Sequence, residues 1–386
     1  MKLLLSAACL LICLATFSQS RITGTIRSEK DGATLAFASV FLSQTTLGDR
    51  TTEQGHFTVR NIPNGRYELI VSYLGYETLV VPLALQDTTL TLNLRLKPKA
   101  GQLGEVVIRS DPDRERWLAT FRETFLGTSR AARACRITNE NILDLHYDQD
   151  HHQLTGSSDG MLIVDNPTLG YRVKYVLQGY VNDFGRGYVL YYGFPQFEEM
   201  KAKNRRQQAK WEERRLLAYR GSSMHFMRSL MNKRLKEDGF QVNKIVRVER
   251  KNTAAQRAPG DTAQRVLVGN RQPVFSRYAD YLYTGEVSYD SIYHKPVQGT
   301  GIVLHFTNYL QVVYKNEKEA FEYLQFKGRR ADKRYAQTSL VHLFVPEVGV
   351  DANGNVDAPA DVVFEGYWGW EKVAEMVPLD YKEPVK

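Results

Sequence analysis

Two histidines among aspartates, a serine between glycines and a run of alternating oxygen side chains are where this sequence of 386 residues comes nearest to chemistry. "DQDHHQL" sets His151 and His152 beside Asp148 and Asp150, residue types that bind metals. Adjacent residues of a strand point to opposite faces, so only one of the two histidines can serve a given site. A polar strand end facing solvent is the simpler expectation. None of the eight histidines begins an H-x-x-E pair and H-E-x-x-H is absent, which leaves zinc hydrolase chemistry unsupported. "GSSDG" at 156–160 has the G-x-S-x-G form that holds a nucleophilic serine on a strand-to-helix turn. Strand-like sequence lies on both sides of it, so Ser158 is expected in a hairpin loop, without a helix N-terminus to build an oxyanion hole. "DANGNVD" spaces Asp351, Asn353, Asn355 and Asp357 like a calcium loop. Val356 stands where such a loop needs glycine and Val362 where it needs a bidentate glutamate, so an Asx-rich turn is expected. The sequence thus nominates no catalytic residue, no metal ligand and no cofactor.

Charge is more telling than motif. The formal net charge is +8, yet Lys201–Lys236 holds twelve Lys or Arg against Glu212 and Glu213, and the rest of the chain is slightly acidic. This stretch reads as two helices divided by "GSS" at 221–223, the second with Met224, Met227, Met231 and Leu235 on one face and ending at Gly239. Arg205, Arg206, Arg214, Arg215 and Arg220 are therefore candidates for gripping an anionic partner: lipopolysaccharide phosphate, a membrane surface or an acidic protein. The competing expectation is a solvated helical face whose long stems cover apolar surface. Nucleic acid is disfavoured, because the basic character is local to one segment. Aromatic clusters in "YVLYYGF" and "GYWGW" add Tyr192, Trp368 and Trp370 as candidates for stacking on sugar rings, against the commoner role of aromatics in a core.

The elements that must position these residues come in two textures. Lys2 followed by an apolar run from Leu3 to Ala15 reads as a secretory signal peptide over 1–20, with cleavage near Ser18. Cys9 and Cys13 lack the neighbours of a lipidation site. Later segments are too short and polar to span a membrane as helices. With the signal removed only Cys135 remains, so stability must come from burial rather than a disulfide, and that cysteine is expected as a small buried hydrophobe. An apolar share of 43% with 24% charged residues is ordinary for globular domains.

Residues 21–98 read as all β: Tyr67, Leu69, Val71 and Tyr73 alternate with Glu68, Ile70 and Ser72 in a period of two, and "GATLAFASVFLSQT" carries Leu35, Phe37, Val40 and Leu42. Asn61, Pro63, Asn64 and Gly65 supply a turn. A Greek-key-type β-sandwich is the default for such spacing. After a linker at 99–112, Asp111 and Pro112 are expected to open a helix carrying Trp117, Phe121 and Phe125, stopped by Gly127. Strand patterns then alternate with the basic helices, and a short helix is expected in "WEKVAEMV". Residues 113–386 read as a larger α+β domain with a mainly antiparallel sheet.

The stretch "ITGTI…DGATLAFASVFL…LGDRTTEQGHFTVRNIPNGRYELIVSYLGYE" resembles the carboxypeptidase-like regulatory domain, a transthyretin-like or starch-binding-like sandwich. Its marks are the opening Gly24, "GHF" at 55–57 and the closing "VSYLGYE", and it covers about 80 residues. The resemblance implies an accessory module that occurs beside carboxypeptidase catalytic domains and at the N-terminus of envelope proteins, TonB-dependent outer-membrane receptors among them. "LGEVVI" at 103–108 is similar to the strand leading into a receptor plug, but fewer than 280 residues follow and they show no series of lipid-facing strands. "YRGSSMHFMRSL" and "GYWGWEKVAEMVPLDY" resemble uncharacterised regions that follow this module in other exported proteins.

These readings point to a non-catalytic exported binding or assembly protein of a cell envelope, periplasmic, outer-membrane-associated or secreted, whose partner is an envelope protein, a glycan or an anionic surface. The alternative is a hydrolase whose site is assembled from scattered residues. A deep pocket with converging carboxylates would favour the alternative, a shallow basic or aromatic surface the first reading.

Overall fold

Alternating apolar residues dominate both ends of the chain, and the computed structural model, which describes residues 19–99, 112–249, 278–285, 287–297, 301–330 and 332–384, turns them into sheets. Residues 1–18 of the expected signal peptide, the "LGEVVI" strand, Asp111 and the loop "AAQRAPGDTAQ" lie outside the described residues. The chain divides into two units, Met1–Leu103 and Gly104–Lys386.

The first unit is a β-sandwich of β1 (Ser20–Ser28), β2 (Ser39–Leu42), β3 (Gly48–Arg50), β4 (His56–Ile62), β5 (Gly65–Ser72), β6 (Leu79–Leu85) and β7 (Thr89–Leu96). One sheet runs β4-β1-β7 and the other β3-β2-β5-β6. Inward residues alternate as the period requires: Ile22 and Ile26, Val40 and Leu42, Phe57 and Val59, Tyr67, Leu69 and Val71 fill the space between the sheets. Each such side chain contributes about 1.5–3 kcal/mol by leaving water. β1 and β7 pair in parallel, with Gly24 opposite Leu92. A Cβ on Gly24 would lie 1.9 Å from the Leu92 carbonyl oxygen, so only glycine fits there. Phe37 departs from the expected pattern: it is 64% exposed, because its φ of 61° breaks the alternation before β2 begins.

The second unit opens with α1 (Arg114–Leu126) and α2 (Arg130–Ala134). Helix α1 starts at Arg114 with Asp113 as its cap residue, and it buries Trp117, Phe121 and Phe125 as their spacing requires. It packs on a six-stranded antiparallel sheet built from β8 (Arg136–Ile137), β9 (Leu143–Asp148), β10 (Gln153–Ser158), β11 (Met161–Asn166), β12 (Tyr171–Asp183) and β13 (Tyr188–Glu199). The "GSSDG" stretch is not the hairpin loop that the sequence suggested. β10 and β11 both pair with β12, at Gln153–Gly156 and Met161–Asn166, so the serines sit at an irregularity in one interrupted strand path. Gly160 (φ 117°) makes the bend and accepts a 2.8 Å hydrogen bond from Ser158 Oγ.

Helices α3 (Arg205–Tyr219) and α4 (Ser223–Met231) follow, and then β14 (Phe240–Glu249), β15 (Tyr278–Tyr283), β16 (Tyr293–His294), β17 (Ile302–Leu304), β18 (Tyr309–Lys318), α5 (Phe321–Phe326), β19 (Ala336–Leu343), β20 (Val348–Val350), β21 (Val362–Gly366) and α6 (Tyr367–Trp370). One sheet runs β15-β14-β18-β19-β21 and a smaller one β16-β17-β20, both antiparallel. Their core takes Phe226, Met227 and Leu230 from α4. Helix α4 ends eight residues before Gly239, since Lys233 (φ 55°) cannot continue it, and Leu235 reaches the core from a turn. In place of a helix over "WEKVAEMV" there is the single turn α6 and a separate 3-10 turn, Val373–Glu375.

Candidate functional site

The basic helix α3 is set by its neighbours before it can present any charge. Asn204 caps it by accepting a 2.9 Å hydrogen bond from the Gln207 amide. Trp211, Arg215 and Tyr219, spaced by four, form its buried stripe. Trp211 Nε1 donates to the Pro167 carbonyl at 2.9 Å, and Gly170 (φ 69°) leaves room for the indole that a Cβ would overlap. Arg215, proposed from sequence as a binding residue, is instead 5% exposed. Its Nε and Nη2 donate to the Leu169 and Gly170 carbonyls at 2.8 and 3.0 Å, Glu199 pairs with it at 3.1 Å, and its guanidinium lies 3.9 Å above the Tyr171 ring. It staples the helix to the first sheet.

The neighbouring stripe of α3 carries Arg206, Lys210 and Arg214, again spaced by four, and lines a cleft of about 820 Å³. The same space is lined by Glu317 at the end of β18, Glu322 in α5, Glu371 just after α6 and Glu375 in the 3-10 turn. Ser129, the α2 cap, lines it as well. Among the described residues no ion pair within 4 Å joins any of these three cations to any of these four carboxylates, although Arg214 exerts an attraction on Glu375. The Glu371 carboxyl has no hydrogen-bond partner in the described protein, while Glu317 accepts one from Gln337 Nε2 at 3.1 Å.

Three of these carboxyls are raised from their ordinary values. Burial, with Glu375 and Glu317 adding repulsion, pushes the Glu371 carboxyl well above its ordinary value. Glu375 is raised by burial too, against hydrogen bonding from Ser129 and attraction from Arg214. Glu317 is raised chiefly by burial as well.

The other candidates fare differently. Arg205 is exposed on α3 and does not line the cleft. Arg220 pairs with Glu383. Tyr192, 59% exposed, lies on β13 away from the cleft and packs against the backbone of Gly179. Trp368 and Trp370 are 8% and 6% exposed, which corrects the expectation that they stack on sugars. Their Nε1 atoms donate to the Gly221 carbonyl (2.6 Å) and to Thr128 Oγ1 (2.9 Å), and Trp370 gives the cleft only part of its wall. Cys135 is buried, and its thiol is pushed up to about 12 by burial and then by Glu375, which suits a core residue. At the β9–β10 turn, Asp148 accepts from the amides of Asp150 and His151 and from His151 Nδ1 at 2.7 Å, so the acid caps the turn. Asp351 likewise accepts from the amides of Asn353 and Asn355, the inward Asx turn expected of "DANGNVD".

Sequence reasoning thus named Arg206 and Arg214 but missed Lys210 and every carboxylate across from them. The i, i+4, i+8 spacing of the cations was the available signal. Nothing in the sequence tied them to Glu371 and Glu375, more than 150 residues on. The expected shallow surface is in fact a cleft with four carboxylates in its lining, the kind of site expected of the hydrolase alternative.

Residues 22–108 match the CarboxypepD_reg-like domain family. The chain is 36% identical over 91 residues to a TonB-dependent receptor of Formosa agariphila, which covers 24% of this chain and 8% of the receptor. The chain therefore spans under a tenth of the length of that curated relative. Among solved structures, the backbone protein of group B streptococcus pilus 2b aligns at TM-score 0.19 and 17% identity, over 21% of this chain and 41% of that one. A DUF3823 family protein of Bacteroides ovatus aligns at 0.18 and 10%, over 48% and 82%. Likenesses this slight carry no argument about the larger unit. No helix among the described residues is long and apolar enough to cross a membrane.

Proposed function

We propose that this chain is an exported envelope protein that binds rather than reacts, with an accessory sandwich at its N-terminus and its ligand held in the α3 cleft of the larger unit. The match of residues 22–108 to a carboxypeptidase-regulatory-like module, and the likeness of that region to a TonB-dependent receptor, support the envelope location. The observation that carries the binding reading is the cleft itself: three cations on one helix stripe share its lining with four carboxylates and form no ion pair with them. Charges held apart in a concave site are available to a ligand.

A second reading, the hydrolase, is favoured by the four carboxylates that line the cleft and by Glu371, whose raised carboxyl suits proton donation. Acid–base work, however, needs partners whose pKa values are driven apart. Glu317, Glu371 and Glu375 are all driven the same way. Binding is therefore preferred. The test is retention of envelope extract on the immobilised full chain. R206E/K210E/R214E should retain at least about tenfold less than the wild type, a change of 1.4 kcal/mol or more; equal retention would remove the cleft from the account.

A further inference from the structure

We infer that the cleft takes a dipolar ligand, its ammonium group lodged between Glu371 and Glu375 and its anionic group, a carboxylate or a phosphate, on the α3 stripe. The inference deepens the binding reading above and rests on it.

The cleft presents both signs of charge. Arg206, Lys210 and Arg214 make no ion pair among the described residues although four carboxylates share their cleft. All three are exposed, so water solvates them in the free protein, and a ligand entering the cleft of about 820 Å³ would exchange that water for its own anionic group. An anion alone would satisfy α3 and aggravate the repulsion among Glu317, Glu371 and Glu375. A cation alone would relieve the carboxylates and make no use of the α3 stripe. A molecule bearing both charges, oriented one way, answers both walls, and a reversed one meets like charge at each end.

Orientation also fixes a proton balance. In the free protein burial, and then repulsion from Glu375 and Glu317, raise the Glu371 carboxyl well above its ordinary value. The other groups facing the space are Glu322 on α5, Arg130 on α2 and the three α3 cations. An ammonium seated on Glu371 favours its carboxylate, so binding expels a proton to solvent and affinity strengthens as pH rises toward the raised value.

The probes are pentaglycine with free termini, its N-acetyl and C-amide forms, and phosphoethanolamine, titrated calorimetrically into the full chain in two buffers of different ionisation enthalpy. Binding of pentaglycine identifies a carboxylate anion and binding of phosphoethanolamine a phosphate; either supports the inference if protons are released. Blocking either end of pentaglycine should weaken binding at least about tenfold, or 1.4 kcal/mol. E371Q, nearly isosteric, should lose proton release and discrimination against the acetyl form, and R206A/R214A, exposed changes that spare the fold, discrimination against the amide. The inference is overturned if neither dipolar probe binds, if blocked forms bind as well as free ones, or if the variants discriminate like the wild type. Should R206E/K210E/R214E still lose envelope material while the dipolar probes fail, the ligand class falls and the binding reading stands.

Discussion

At the scale of single residues, arginines of one helix divide into two kinds that the sequence writes identically. Arg215 is consumed by two carbonyls, a carboxylate and a ring, whereas Arg214 beside it faces the cleft. Denaturant unfolding should separate them: R215A is expected to cost about 3 kcal/mol, because truncation strands buried acceptors, and R214A less than about 0.5 kcal/mol. Equal effects would contradict the division. Glu371 makes a second residue-scale prediction, of opposite sign to the usual carboxylate. Its folded pKa is raised, so between the ordinary 4.5 and the raised value the folded state binds more protons than the unfolded one. Its contribution is fully present below 4.5 and is lost as pH rises. Stability measured across that window should therefore fall with pH in the wild type more steeply than in E371Q, and parallel curves would show that the carboxyl is unburdened.

At the scale of elements, periodicity was legible wherever one face was buried. The β-sandwich strands, the Trp117–Phe121–Phe125 stripe and the basic helix pair could all be read from spacing alone. The failures have local causes. Phe37 and Lys233 take positive φ, which neither residue type signals, and the "GSSDG" bend interrupts one strand path instead of joining a hairpin. Helix α3 begins where Asn204 caps it, and N204A should lower stability by about 1 kcal/mol and loosen the cleft wall, seen as faster amide exchange over its first turn. Unchanged exchange there would mean that packing of Trp211 alone sets the helix start.

At the scale of the whole molecule, the sandwich was recognisable because its marks are contiguous: Gly24, "GHF" and "VSYLGYE" fall within one short stretch. The cleft was not, because its walls come from α2, α3, β18, α5 and the segment after α6, brought together only by folding. Helix spacing revealed half of it and tertiary packing the other half. The account predicts that this assembled space grips a molecule and returns it unchanged. The most direct measurement is mass spectrometry of envelope material eluted from the wild-type chain after brief and prolonged incubation, beside R206E/K210E/R214E and E371Q. Species eluting from the wild type should be missing from the triple variant and identical in mass at both times; a mass change with time that E371Q abolishes would show that the cleft performs a reaction.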